Sequence, residues 1–357
     1  MLYFVFATGR CNLRCWYCGG SFSPEVVPWE VEYRVEDLVR FIEEDEKAVV
    51  AFYGGEPLLN PGFIEEVLDK VPAKRFVIQT NGLLVKELSA KRWRMFDTVL
   101  LSIDGRPHVT DFYRGRGVYE KVVSAAHYLR GIGFEGDLVA RMAVSEQSDV
   151  YEDVAHLLSP RVFDHVHWQL DVVWSDRWRD FEGWLKTSYL PGVEKLASLW
   201  VSELVKGRVL GIAPFLGIYR DLAIGCSEKP PCGSGRSSFA VLTNGKVIAC
   251  PIAVDASWAY LGDIWTAKPS LIRNAFSIGE PCTSCEEYEV CGGRCLYAYK
   301  ERLWGEEGFR KICLATKHTI AQVRKHLHLI NDLLESEVVE RHQLLYPIYN
   351  NTIEIIP

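Results

Sequence analysis

Eleven cysteines set the terms for this chain, because they fall into two groups that the fold has to gather. Cys11, Cys15 and Cys18 stand together in Thr8-Gly9-Arg10-Cys11-Asn12-Leu13-Arg14-Cys15-Trp16-Tyr17-Cys18. The other eight are Cys226, Cys232, Cys250, Cys282, Cys285, Cys291, Cys295 and Cys313. The apolar opening Leu2-Tyr3-Phe4-Val5-Phe6-Ala7 lacks a basic leader and reads as a buried strand, not a signal peptide. Without an export signal, so many thiols point to metal ligation in a reducing compartment rather than to disulfides. A [4Fe–4S] cluster takes four thiolates. Three on one loop leave an iron open, and open metal positions are where chemistry happens. The expectation is a cytoplasmic metalloprotein with a reactive centre near residue 15.

With 357 residues there is room for one large domain and a smaller one. No run is apolar for long enough to cross a bilayer, so no membrane partner is expected. A net charge of −7 argues against a general nucleic-acid binder, since the phosphate backbone rewards positive charge. Short β-branched or aromatic runs predict strands over 2–7, 49–53, 75–80, 98–103, 137–144 and 165–173. Amphipathic stretches between them predict helices near 35–45, 61–70, 86–94, 118–130 and 150–158, with a longer one over 178–205. Alternation of this kind makes an α/β fold with a parallel sheet. The expected domains are 1–205, 206–315 and a C-terminal helix and tail over 316–357. The helical pattern over 314–340 carries Lys317, Arg324 and Lys325 on a face read as solvated.

The C-x3-C-x2-C spacing, with Tyr17 before the last cysteine, resembles the signature of the radical S-adenosylmethionine (SAM) enzymes. The six βα units likewise resemble that family's partial (β/α)6 barrel. The resemblance implies that Cys11, Cys15 and Cys18 hold a [4Fe–4S] cluster whose open iron is chelated by the amino and carboxylate groups of SAM. One electron then cleaves SAM to a 5′-deoxyadenosyl radical, which abstracts hydrogen. In βα barrels the chemistry sits at the C-terminal ends of the strands, and the motifs fall there. After the second strand, Gly54-Gly55-Glu56-Pro57 resembles the family's GGEP. Its glycines would let backbone carbonyls approach the SAM amino group, and Glu56 would accept from the same ammonium.

Asn81, Ser102 and Asp104 follow as SAM contacts, the last two alternating on one strand face toward the ribose. A turn or helix N-cap is the plainer reading of each. Arg114 and Arg141 compete for the SAM carboxylate; Arg141 is favoured, because an arginine inside an apolar strand needs a partner. Gln169 and Asp171 share a strand face and would reach SAM or substrate, unless they are satisfied interior groups. Trp174, Trp178, Trp184 and Trp200 would line a peptide site or pack as core.

Alone, Cys282-x2-Cys285-x5-Cys291-x3-Cys295 would suit zinc. The full series of eight, with Gly245 before Cys250, resembles instead the SPASM extension of radical-SAM peptide modifiers. That resemblance assigns Cys226, Cys232, Cys250 and Cys295 to one auxiliary [4Fe–4S] cluster and Cys282, Cys285, Cys291 and Cys313 to a second. Three clusters then use all eleven cysteines and leave none as a base. In sulfatase maturases of this type an acidic residue follows the third ligand of the first auxiliary cluster. Pro251 occupies that position here, and the nearest carboxylate, Asp255, is four residues on.

The expected activity is therefore hydrogen abstraction from a peptide or small protein, giving an oxidised residue or a thioether or carbon–carbon cross-link. A ferredoxin- or flavodoxin-like donor would supply electrons. With the first strand at residue 2, leader recognition would fall to a separate protein, the auxiliary domain or the barrel mouth. The rivals are oxidation of a non-peptide metabolite, sulfatase-maturase-like oxidation (disfavoured by Pro251), a non-catalytic electron carrier and a zinc-scaffolded interaction protein.

Overall fold

The alternating runs become strands β1 (Leu2–Thr8), β2 (Val49–Gly54), β3 (Arg75–Thr80), β4 (Thr98–Ser102), β5 (Asp137–Val144), β6 (His165–Leu170), β7 (Ser238–Val241), β8 (Lys246–Ile248) and β9 (Tyr260–Asp263). This computed structural model describes residues 1–159, 161–172, 178–225, 228–302 and 304–346. Cys226, Trp174, Val173 and the tail 349–357 lie outside the described residues. The described chain divides into two compact units.

The first unit comprises Met1–Ile103, Thr110–Val139 and Gly233–Ser277. β1 to β4 run parallel, with Leu2 opposite Val49, Val49 opposite Arg75 and Val77 opposite Thr98. β1 is buried along its whole length, as a strand covered on both faces of a parallel sheet must be. On its other side β7 also pairs parallel to β1, Leu2 opposite Ser238, and β8 and β9 follow antiparallel. The strand after β4 opens beside it, where the Asp137 N–H donates to Asp97 O at 2.9 Å. Helix Pro61–Lys70 begins with a proline, where no N–H is missed. Asn60 caps it by accepting the Phe63 N–H at 3.3 Å, while its Nδ2 donates to Ala7 O at 2.9 Å. One asparagine thus fixes the helix start to the end of β1, beside the cysteine loop.

The second unit comprises Asp104–Val109, Ala140–Cys232 and Ile278–Pro357. There β5 continues with β6 as its neighbour. Helices Val150–Leu158, Leu190–Leu204, Ala213–Ile224 and Gly305–Arg324 pack on one another and on β6. Trp168, Tyr189, Trp200 and Phe215 fill this core. Trp168 Nε1 donates to Tyr189 Oη at 3.1 Å, and Trp184 Nε1 to Ser148 O at 3.1 Å, so these buried rings keep their polar atoms paired. Trp184 and Trp200 are buried and belong to the core, Trp200 with its Nε1 unpaired among the described residues.

The predicted 86–94 helix is a 3-10 turn Val85–Glu87 and a short helix Ala90–Trp93, separated where Ser89 Oγ accepts the Arg92 N–H as an N-cap. The 178–205 helix is Phe181–Trp184, a π-helical turn Leu185–Tyr189, then Leu190–Leu204. Pro191 explains the π turn, since it lacks an N–H for the Thr187 carbonyl and its ring crowds that carbonyl. Helix Pro107–Arg114 was not anticipated. The 314–340 helix begins earlier, at Gly305, and breaks into Gly305–Arg324 and Leu327–Glu335.

Candidate functional site

The cysteine loop leaves β1 at Thr8, whose hydroxyl donates to Trp29 O at 2.6 Å and accepts the Arg10 N–H at 3.0 Å. Ser21 Oγ accepts the Cys11 N–H at 2.9 Å, and the Gly19 N–H donates to Cys15 O at 2.9 Å. The Trp16 N–H donates to Tyr113 O at 2.9 Å. The loop is thus folded by its own small polar groups and anchored to the segment after β4.

The turn after β2 lies directly beneath it. The Gly55 N–H donates to Thr8 O at 3.0 Å and the Glu56 N–H to Arg10 O at 2.7 Å. A Cβ on Gly54 would meet Thr8 O at 2.3 Å, and one on Gly55 would meet Arg10 O at 2.0 Å. Gly54 also has φ +126°, closed to side chains. Sequence reasoning assigned these glycines to an approaching ligand. Here they also admit the cysteine loop's own backbone, which alone requires them.

Glu56 is buried at 1% exposure and accepts three hydrogen bonds. Oε1 takes the Leu58 N–H at 3.1 Å and the Thr80 hydroxyl at 2.6 Å; Oε2 takes the Asn81 N–H at 2.8 Å. Burial outweighs these donors and pushes its carboxyl up to about 7. A carboxylate has about four acceptor positions, so one remains for a further donor. Asn81 Nδ2 donates to Asn12 Oδ1 at 2.6 Å, joining the end of β3 to the cysteine loop.

Arg114 is buried with its guanidinium carbon 5.3 Å from the centroid of the Tyr17 ring. Burial pushes the Cys11 thiol up to about 11, opposed by the Leu13 N–H and Arg114 and reinforced by Glu56 and Cys18. The loop therefore gathers thiols, a carboxylate and an arginine. Three thiolates for a cluster, an acceptor for an ammonium and a cation for a carboxylate are the donor set that a [4Fe–4S] cluster with chelating SAM requires.

Ser102 ends β4 in this unit, buried. Asp104 belongs to the second unit, where Oδ1 accepts the Ala143 N–H at 2.9 Å. Arg141, also in the second unit, bonds to Gln169 Oε1 and donates to Met142 O at 2.9 Å. The partner that an arginine inside a strand demands is therefore Gln169 there. Asp171 Oδ2 accepts the Ser145 hydroxyl at 3.0 Å.

In the second unit Cys282, Cys285, Cys291 and Cys313 lie near enough to act on one another's charge. Burial pushes Cys282 up to about 11 and Cys291 up to about 12, and it raises Cys313. Arg294 acts on Cys291 and Cys313, Arg302 on Cys282 and Cys313, and Lys317 on Cys285 and Cys313. Arg302 Nη1 is buried without a hydrogen-bond partner among the described residues, a donor facing no acceptor. Four thiolates ringed by cations, with a donor to spare, suit an anionic cluster. No three His, Cys, Asp or Glu side chains among the described residues are gathered tightly enough for one metal ion. A cubane binds each thiolate to a separate iron and asks for wider spacing than one tetrahedral ion.

Lys317 and Arg324, read from sequence as solvated, are exposed and form surface ion pairs, with Glu286 at 3.3 Å and with both oxygens of Glu287 at 2.6 Å. Glu286 and Glu287 follow Cys285 directly, which is the signal the pattern offered. Of the remaining cysteines, Cys250 belongs to the first unit and Cys232 and Cys295 to the second; Cys226 is outside the described residues.

The radical SAM superfamily model matches residues 5–158. Mycofactocin maturase MftC of Mycobacterium ulcerans (strain Agy99) is 26% identical over 316 residues, covering 82% of this chain and 81% of its own. The solved structure of native anSMEcpe with bound AdoMet and Cp18Cys peptide aligns with TM-score 0.71 at 20% identity, covering 93% of this chain and 99% of that one. Streptococcus suis SuiB bound to precursor peptide SuiA aligns with TM-score 0.53 at 17% identity, covering 83% and 72%. The last two speak for the fold. Residues 5–158, which run from β1 through helix Val150–Leu158 and include the cysteine loop clamped on its glycine turn, are by that match a radical SAM domain.

Proposed function

We propose that this enzyme modifies a peptide or small protein, abstracting hydrogen from a substrate carbon to give an oxidised residue or a thioether or carbon–carbon cross-link. The observation that carries the reading is the clamp of Arg10 and Thr8 carbonyls on Gly55 and Glu56, which fixes three cysteines beside a buried carboxyl and Arg114. MftC is named as a maturase, and anSMEcpe and SuiB are solved with peptides; these relatives favour a peptide over a metabolite.

Cys11, Cys15 and Cys18 would hold the cluster, with Tyr17, Gly54, Gly55, Glu56, Asn81, Ser102, Asp104 and one of Arg114 and Arg141 around SAM. When bound, cluster and SAM supply the 5′-deoxyadenosyl radical, and the cofactor carries that chemistry. The protein's part is orientation and water exclusion. Glu56 holds one free acceptor position against an ammonium, and Arg114, packed on Tyr17, offers its cation to a carboxylate. We favour Arg114 for that role, since it packs on Tyr17 of the cysteine loop, its guanidinium carbon 5.3 Å from the ring centroid.

Cys282, Cys285, Cys291 and Cys313 would ligate one auxiliary cluster, and Cys226, Cys232, Cys250 and Cys295 the other. A ferredoxin- or flavodoxin-like donor and, for leader recognition, a separate protein complete the proposed partners, in the cytoplasm. No helix among the described residues is long and apolar enough to cross a membrane. The test is mass spectrometry of candidate peptides incubated anaerobically with reconstituted enzyme, SAM and reductant. Loss of hydrogen from a peptide residue, coupled to 5′-deoxyadenosine, is expected. Turnover of small metabolites with every peptide left intact would contradict the reading.

A further inference from the structure

Trp16 and Phe112 are each 50% exposed, and their ring centroids lie 5.5 Å apart. Single exposed rings are ordinary on a protein surface, whereas rings held in contact make a patch. The backbone fixes this one: the Trp16 N–H donates to Tyr113 O at 2.9 Å, and Phe112 packs edge-on against Tyr113 at 4.9 Å. Beneath the pair, Tyr113 is buried and meets the Tyr17 ring at 5.9 Å. Trp16 lies between Cys15 and Cys18, and Cys18 is exposed as well. The patch is therefore where the cysteine loop meets solvent.

Its charge is one-sided. Residues 9–22 and 112–119 carry Arg10, Arg14, Arg114 and Arg116 and no acid, in a chain whose net charge is −7. Arg10 faces Glu30 at 4.0 Å, and Arg114 is buried. Arg14 and Arg116 are exposed and have no ion-pair partner among the described residues. Asp111, just before Phe112, is turned to the backbone, accepting the Gly117 N–H at 2.7 Å and the Tyr119 N–H at 2.9 Å.

We propose that Trp16 and Phe112, flanked by Arg14 and Arg116, are the docking site of an acidic one-electron carrier protein that reduces the cluster held by Cys11, Cys15 and Cys18. This rests on the reading above that a cluster and SAM bind there, and it names the face through which the electron enters. Aromatic residues and arginine are the side chains that protein interfaces concentrate. A cationic rim steers an acidic partner into place and turns cationic ones away. In the transfer one electron leaves the carrier and enters the cluster, and no bond is made or broken.

The experiment uses full-length reconstituted enzyme and an acidic flavodoxin as the probe, oxidised for binding and reduced for turnover. Wild-type enzyme is expected to bind the oxidised flavodoxin in calorimetry, with an affinity that falls as salt is raised. Arg14→Glu together with Arg116→Glu should weaken binding at least about tenfold at low ionic strength, and the difference should vanish near about 1 M salt. Phe112→Ala should weaken it about tenfold at every salt concentration. In both variants iron content and dithionite-driven 5′-deoxyadenosine release should equal wild type, while flavodoxin-driven release shows a raised KM for flavodoxin. Wild-type flavodoxin affinity in both variants, or no binding to wild type at low salt, would overturn the docking site and leave the SAM reading standing. Fully loaded wild type that releases no 5′-deoxyadenosine with dithionite would overturn the SAM reading, and calorimetry would still decide the docking site.

Discussion

Asn81 donates its side-chain amide to Asn12 Oδ1 at 2.6 Å, and the Asn81 backbone N–H donates to Glu56 Oε2 at 2.8 Å. Through Asn81, the end of β3 holds both the cysteine loop and the glycine turn. Asn12 lies between two of the cysteines. The bond therefore positions the loop without touching the metal ligands.

Asn12→Ala should cost about 1 kcal/mol of stability, the net worth of one such bond, and slow iron retention at the first cluster. Asn81→Ala should cost more, since it also strips the Asn81 side chain's own bond to the Leu83 N–H at 3.0 Å. The double variant should be less destabilised than the sum of the two singles. Strict additivity in chemical denaturation would show that the bond does not couple the cysteine loop to the end of β3.

Gly55→Ala should be worse than either. Its Cβ would sit 2.0 Å from Arg10 O, a backbone atom that cannot swing aside. Overpacking of this kind costs roughly 1–3 kcal/mol, and here relief means moving the cysteine loop. Iron at the first cluster and SAM affinity should fall at least about tenfold, the equivalent of 1.4 kcal/mol, while the auxiliary irons stay. Wild-type SAM binding in Gly55→Ala would contradict the clamp.

Glu56 gives the apo protein a pH dependence of definite sign. Its carboxyl lies at about 7 in the fold against 4.5 when free. Between those values the native state binds more protons than the unfolded one, so stability falls as pH rises. The penalty is absent below about 4.5 and complete above about 7, reaching ~3 kcal/mol at 1.36 kcal/mol per unit. Glu56→Gln should flatten this part of the profile, measured as the difference between the two proteins' thermal midpoints from pH 5 to pH 8. A SAM ammonium would reward the ionised form, so SAM affinity should rise over the same range in wild type and not in Glu56→Gln.

Much of this was legible in the sequence, for a physical reason. β3 and β5 stand at their predicted bounds, as do helices 61–70 and 150–158, because β-branched runs, Pro61 and the Asn60 and Asp149 caps speak locally. Non-local facts were not legible. Nothing near Gly54 or Gly55 in sequence says that residues 8–10 press on them from 45 positions away. The helix Pro107–Arg114 was hidden by its polar, weakly helical composition, and the pairing of Lys317 with Glu286 was hidden because the two are 31 residues apart.

Anaerobic reconstitution followed by quantitation of 5′-deoxyadenosine, with SAM and dithionite and no substrate, tests the central claim most directly. The account predicts about twelve irons per chain and slow 5′-deoxyadenosine release, abolished in Cys15→Ala while the auxiliary irons remain. Fully loaded wild-type protein that leaves SAM intact, or equal release from Cys15→Ala, would contradict it.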